Sequence, residues 1–158
     1  MFHNKLLKTI SIIATSIMLV NATVNPVMAN NMFYNVQVTE DGFASDSSYN
    51  KLKSNHLNFG NVEIKRISSN EVGVYGLTQC HHKCSHVDLD IALEWKVDGE
   101  YATYKSWQFD ADNTTQLSRS MVVIVPKNHY YRIRGYHAAK DSGVKESTTT
   151  LTDGILIN

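Results

Sequence analysis

From about Leu57 onward the chain alternates apolar and polar residues in short runs, and the sharpest run is His86 to Val97. Val87, Leu89, Ile91, Leu93 and Trp95 alternate with Asp88, Asp90, Ala92, Glu94 and Lys96, a period of two that buries one strand face and wets the other. Asp98-Gly99 follows, a pair suited to the positive φ values of a tight hairpin turn, so the partner strand is expected over 101–109. Weaker runs predict strands at 61–67, 71–79, 119–125, 130–138 and 147–157. Pro126 closes one of these, because it has no N–H to give to a ladder. β-Branched residues dominate and no 3.6-residue period is visible. The pattern predicts an all-β domain over 57–158, an antiparallel β-sandwich of about seven strands.

The first part of the chain reads differently. Lys5 and Lys8 precede an apolar stretch from Ile10 to Val20, and Val27-Met28-Ala29 places small residues at −3 and −1 of a cleavage site. Residues 1–29 are therefore expected to be a secretory signal peptide cut after Ala29. Its apolar run is shorter than the roughly 20 residues a membrane-spanning helix needs. Residues 30–56 are polar, with Ser, Asp and Asn concentrated between Ala44 and Asn50, and are expected to form an irregular tail.

Cleavage changes the charge picture. Of 15 basic and 15 acidic residues the leader takes two lysines, leaving 13 against 15 and a formal charge of −2. A near-neutral domain with interspersed signs has no electrostatic footprint for nucleic acid or anionic lipid. The expected product is a secreted, extracellular protein without a membrane span.

Two resemblances add to this reading. Tyr131-Arg132-Ile133-Arg134-Gly135 resembles the sixth strand of immunoglobulin and fibronectin type III modules, where a tyrosine near the strand start closes a corner by hydrogen-bonding back to the chain. The segments VDLDIALEWKVDGEYATYKSWQF, VPKNHYYRIRGYHAAKDSGVKESTTT and LTDGILI, within 74–157, resemble small secreted proteins of Gram-positive bacteria grouped as a domain of unknown function. That likeness implies export and a β-rich fold. It implies no activity and assigns no residue a role.

One segment concentrates chemistry. Cys80-His81-His82-Lys83-Cys84-Ser85-His86 holds both cysteines of the chain and three histidines. In an oxidising compartment the expected state is a Cys80–Cys84 disulfide. So short a loop would contribute only about 2 kcal/mol by chain entropy, and the bond would chiefly fix local geometry. The alternative is a zinc or copper site drawn from Cys80, His81, His82, Cys84 and His86, since thiolates and imidazoles are the donors these metals prefer. Four ligands within seven residues of one bend would strain a tetrahedron. A third reading leaves the histidines as solvated turn residues.

Other signals are less pointed. Asp88/Asp90 and Asp110/Asp112 read as the wet face of a strand and a polar turn rather than as a calcium loop, which would need a glycine and a distal glutamate. His129 and His137 read as hydrogen-bonded structural groups. G-x-S-x-G, H-E-x-x-H and nucleotide-binding fingerprints do not occur. Tyr104, Trp107, Tyr130 and Tyr136 are the aromatics expected to offer a binding surface on the central strands. The function expected from these signals is a non-enzymatic, exported β-domain that binds a cell-envelope or extracellular partner. An exported metal-binding protein is the alternative, and a small secreted hydrolase a third.

Overall fold

A computed structural model describes residues 42–49 and 54–158, so the expected leader and most of the expected tail lie outside the described residues. The fold is all-β: β1 Phe43–Tyr49, β2 Leu57–Ser68, β3 Glu71–Val97, β4 Glu100–Ile124, β5 His129–Asp141, β6 Val144–Leu151 and β7 Ile155–Ile157. All pairings are antiparallel. Among these residues no helix is long and apolar enough to cross a membrane.

The architecture follows from two very long strands. β3 and β4 run side by side, and on its other edge β3 pairs first with β2 and then with β5. The sheet therefore forks. One arm holds β1, β2, the first part of β3 and the end of β4, and the other holds the rest of β3 and β4 with β5, β6 and β7.

The fork lies where the register breaks. Gln79 faces Gln116, but the next pair is Cys84 with Thr114, so four residues of β3 stand against one of β4. Asn113 on the β4 side takes a φ of 52°. An unequal count of this kind bends a strand and adds twist, and here it turns the arms to face each other. Thr78 Oγ1 donates to the Asp88 carbonyl at 3.0 Å across that bend. A Cβ at Gly76 would sit 2.7 Å from Ile91 Cδ1, so the two parts of β3 approach closely enough that a larger residue would make the Ile91 side chain move.

Between the arms lie Val62 and Ile64 of β2, Val72, Val74, Val87, Leu89, Ile91 and Leu93 of β3, and Tyr131 and Ile133 of β5, all buried. The alternation read along 87–93 is thus the core face. Ser48 and Thr148 hydroxyls, 2.6 Å apart, link the outer strands β1 and β6, and Asp46 Oδ2 accepts the Leu151 N–H at 2.7 Å. The curled sheet closes edge to edge through side chains.

Several expectations hold at their positions. Asp98 and Gly99 have φ of 52° and 88° and turn β3 into β4. Tyr131 donates its hydroxyl to the Pro126 carbonyl at 2.8 Å, which is the corner bond its setting suggested. The strand boundaries differ. The expected strands 71–79 and 86–97 are one strand, as are 101–109 and 119–125, while 147–157 is split into β6 and β7. Residues 43–49, read as part of an irregular tail, form β1. Only its alternate residues are partly covered, so its polar composition suits an edge strand.

The imidazole of His137 stands between the arms, linked to Thr78 and Thr150. Cβ atoms at Gly60 and Gly135 would lie 2.5 Å from His137 Cδ2 and 2.7 Å from its Nε2. Because the Thr78 proton goes to the Asp88 carbonyl, His137 Nδ1–H donates to Thr78 Oγ1 at 3.0 Å. Nε2 then accepts from the Thr150 hydroxyl at 2.9 Å. Burial lowers its pKa from 6.5 to about 4, so the folded ring is neutral. As pH falls from 6.5 to about 4, the unfolded chain takes up a proton that the folded chain refuses, and stability drops by up to about 3 kcal/mol. Urea unfolding of the parent and of His137→Gln across this window checks it. The parent should lose stability faster with falling pH, and parallel curves would refute the assignment.

Candidate metal centre

The bulge in β3 is the segment singled out by its cysteines and histidines. Cys80 pairs with Leu57 on the last rung of the β2 ladder, and Cys84 begins the second run of pairing with β4. Between them His81, His82 and Lys83 are exposed and have no opposite residue on β4. The cysteine side chains turn the other way: Cys80 is 6% and Cys84 1% exposed, and both belong to the core.

Both are free thiols in this structure, so the expected disulfide is not formed in it. Their side chains interact, and burial is the main reason that Cys80 is pushed up to about 12. Cys84 is also raised, first by burial and then by the carboxylates of Asp141 and Glu146 against a lowering contact from Cys80. Without a cation beside it, the Cys84 sulfur stays protonated.

A third element completes the cluster. His56, just ahead of β2, reaches the bulge, and its backbone carbonyl accepts the His81 N–H at 2.9 Å. One ligand atom each from His56, His82 and Cys84 lies within 4.8 Å of the other two. His56 Nδ1 and His82 Nε2 are 3.3 Å apart with the rings nearly perpendicular, at 81°. Two nitrogens on a tetrahedral zinc ion at the ordinary bond length are separated by about 3.3 Å. Asp141, at the end of β5, places Oδ2 3.8 Å from His82 Nε2. The Ser142 hydroxyl is the main cause holding its carboxyl below the usual range.

Glu146 of β6 fixes the His56 segment. Its carboxylate accepts the N–H groups of Asn55, His56 and Leu57 at 2.9, 2.9 and 2.8 Å, and also the Ser54 hydroxyl. Burial pushes this carboxyl up, but the four hydrogen bonds outweigh it and hold the pKa at about 2.

The structure therefore brings together only part of the sequence-derived donor set. His82 and Cys84 join the cluster, and Cys80 lies behind it. His81 is exposed outside it. His86 is engaged elsewhere, with Nδ1 2.6 Å from Asp112 Oδ1 and Nε2 3.0 Å from Asp88 Oδ1. His56 is the donor that sequence reading missed. It is 24 residues from Cys80, and nothing local to it announces the register that carries it to the bulge.

The aromatic expectations divide in the same way. Tyr104 is the extra residue of a second bulge, between Leu93 and Glu94, and packs on Trp95 and Tyr131 at centroid distances of 5.3 and 6.1 Å. Trp107 is likewise packed against the core. Tyr104 is thus held in packing, whereas Trp107 also lines the groove that holds Tyr136. Tyr136 lines a shallow groove with Asp90, Gln108 and Arg134. Tyr130 is 46% exposed, beside a second groove that also includes Phe43 and Asp153.

Asp88 stands opposite Asp110 on the wet face, where Lys145 Nζ reaches it at 2.8 Å. This is the solvated-face role expected of the paired aspartates. His129 packs on Trp95 and has Nδ1 3.3 Å from the Lys96 carbonyl, also as expected.

Glu146→Ala would orphan three backbone donors, while the Ser54 hydroxyl keeps the Leu57 carbonyl as an acceptor. A loss of about 2 kcal/mol is expected, since a charged acceptor is worth more than a neutral one. Amide exchange at residues 55–57 should accelerate by more than that at Val74 or Leu89, and uniform exchange across these sites would refute the anchoring role.

No curated protein matches the chain in sequence. Among solved structures, the chain is similar to the crystal structure of Spo0M, a sporulation control protein from Bacillus subtilis, at 13% identity and a TM-score of 0.32. That match covers 73% of this chain and 49% of the other, so the chain spans about half the length of that protein. A family model matches residues 22–154, and the chain belongs to that family, the family of unknown function DUF6147.

Proposed function

We propose that this protein is an exported β-domain that binds a divalent transition metal, zinc by preference, through His56, His82 and Cys84, with Asp141 as the fourth donor. The observation that carries the reading is the convergence of two imidazoles and a buried thiol from two separate chain segments. Imidazole, thiolate and carboxylate are all ordinary zinc donors. A copper site of the His₂Cys type would also need a weak axial ligand such as a methionine. The one methionine among the described residues, Met121, pairs with Val74, six residues before Cys80, or about 20 Å along an extended strand. Asp141 Oδ2 stands 3.8 Å from His82 Nε2 but outside the converging trio, and would have to swing in to close the site; with four protein donors the centre would be a binding rather than a catalytic one.

Export rests on the leader pattern of Lys5, Lys8, Ile10–Val20 and Ala29. An immunoglobulin-like sandwich is supported by the facing arms and by the Tyr131 corner bond.

Zinc titration of the secreted, reduced protein against a competing chelator, with native mass spectrometry, tests the reading. One zinc per chain is expected. His56→Ala and Cys84→Ser should each weaken binding by upwards of roughly 100-fold, since even an outer-shell partner costs about 10–100-fold. His81→Ala and His86→Ala should bind as the parent does. A parent that retains no zinc, or a His56→Ala protein that binds undiminished, ends the proposal.

A second reading, an extracellular partner, is favoured by the groove of about 540 Å³ beside Tyr130 and Phe43, which are 46% and 45% exposed. Labelled protein should sediment with cells of the producing organism, and Tyr130→Ser should reduce the bound fraction. Equal sedimentation of the two would remove this reading.

A further inference from the structure

Cys80 is the one buried nucleophile beside the cluster that the metal site does not use. It lies in the core at 6% exposure, its side chain touches that of Cys84, and it is absent from the converging donors. A passive core position next to a metal-ligating sulfur needs no second thiol, and an aliphatic side chain would pack as well.

The segment between the two cysteines is held on one side only, by the His81 N–H bond to the His56 carbonyl. Residues 81–83 are exposed and lack rungs on β4, where only Thr115 separates the flanking pairs. By contrast the strands on either side are fixed, by Leu57–Cys80 pairing before the bulge and Cys84–Thr114 pairing after it. Because the two side chains already interact, bringing the sulfurs together is a matter of side-chain rotation rather than of breaking either ladder.

We propose that Cys80 and Cys84 form a redox gate on the metal site, in which the thiol pair permits binding and the disulfide releases the metal. This rests on the zinc-site reading above. The chemistry is thiol–disulfide exchange with an external disulfide R–S–S–R, either a small molecule or an oxidoreductase. The S–S bond of the oxidant breaks and a bond between the two cysteine sulfurs forms. Two electrons pass to the oxidant, which leaves as two thiols after taking the Cys80 proton and one from solvent to replace the cation at Cys84. Cys84 then has no anionic sulfur to offer. His56, His82 and Asp141 remain, but the site has lost its thiolate, the donor that sets it apart from a surface histidine pair.

The gate also reconciles the two readings of the cysteine-histidine segment. A disulfide and a thiolate ligand are alternative states of the same sulfur. An exported chain meets disulfide oxidants, so the balance between them would report the redox poise around it.

The test uses the secreted protein, reduced and loaded with one zinc per chain, then exposed to increasing oxidised glutathione. A chromogenic indicator follows released zinc, and denatured intact mass follows the thiols. The expected result is release in step with the loss of two hydrogens from the monomer mass. Cys80→Ser should load zinc as the parent does and should need roughly tenfold more oxidant to discharge, because it can form only a mixed disulfide.

If the parent loses two hydrogens but keeps its zinc, the gate is overturned while the metal site stands. If oxidation yields only glutathione adducts or disulfide-linked dimers, the gate is likewise overturned. If the reduced protein never takes up zinc, the underlying site falls, and mass alone then reports a structural disulfide. Discharge of Cys80→Ser at the parent's oxidant concentration would assign release to Cys84 alone.

Discussion

Four residues of β3 set against one of β4 is the mismatch on which the rest of the molecule depends. Strands of 27 and 25 residues would otherwise make a long ribbon with one face unable to find cover. The surplus residues let β3 turn, and β4 turns with it at Asn113, so both arms stay in one hydrogen-bonded sheet. Once turned, β3 buries its own second part against its first, at Gly76 and Ile91, and β2 comes to lie over β5. The same surplus leaves His81, His82 and Lys83 without partners on β4 while both cysteines point inward. The candidate metal centre and the curl of the fold thus have one cause.

Facing arms need something to fix their separation, and His137 supplies it. Its ring is flat enough to lie between two glycines, and its two nitrogens join Thr78 on one arm to Thr150 on the other. A phenylalanine of similar size would fill the space but leave the buried Thr150 hydroxyl without this acceptor and Thr78 without this donor, which costs more than the apolar contact returns. Neutral imidazole, with one donor and one acceptor, is the side chain that satisfies both. A polar link of this kind sets distance and register at once, whereas aliphatic packing alone would tolerate some sliding.

What could be read from sequence was what local chemistry decides. The alternation from Val87 to Leu93, the Asp98-Gly99 turn and the Tyr131 corner each depend on a few consecutive residues, and each is found in place. The continuity of β3 was not legible, because Cys80 to Ser85 breaks the period of two where the strand bends. β1 was hidden by its composition. An edge strand with both faces partly wet needs few apolar residues, so FASDSSY reads as loop. Tyr104 and Trp107 were recognisable as aromatics on strands, but which face they take is set by the bulge between Leu93 and Glu94. The candidate donors divide on the same line. His82 and Cys84 are close in sequence and were expected, whereas His56 reaches them only through the pairing of β2 with β3 and the grip of Glu146.

The position of the cluster matters as much as its donors. His56 precedes β2 on the first arm, Cys84 opens the second part of β3, and Asp141 ends β5 on the other arm. A cation shared by these residues would tie the arms at the fork, where hydrogen-bonded rungs are fewest. Binding there would add to folding stability by an amount set by its affinity and the free metal concentration. Glu146 already holds the His56 segment from β6 without any metal, so the site would be largely assembled before the ion arrives. Preassembly lowers the ordering cost of binding. It also means that losing the ion, or the Cys84 thiolate, should loosen the fork while leaving the core between the arms intact, since Val62, Leu89 and Ile133 are buried without help from the cluster.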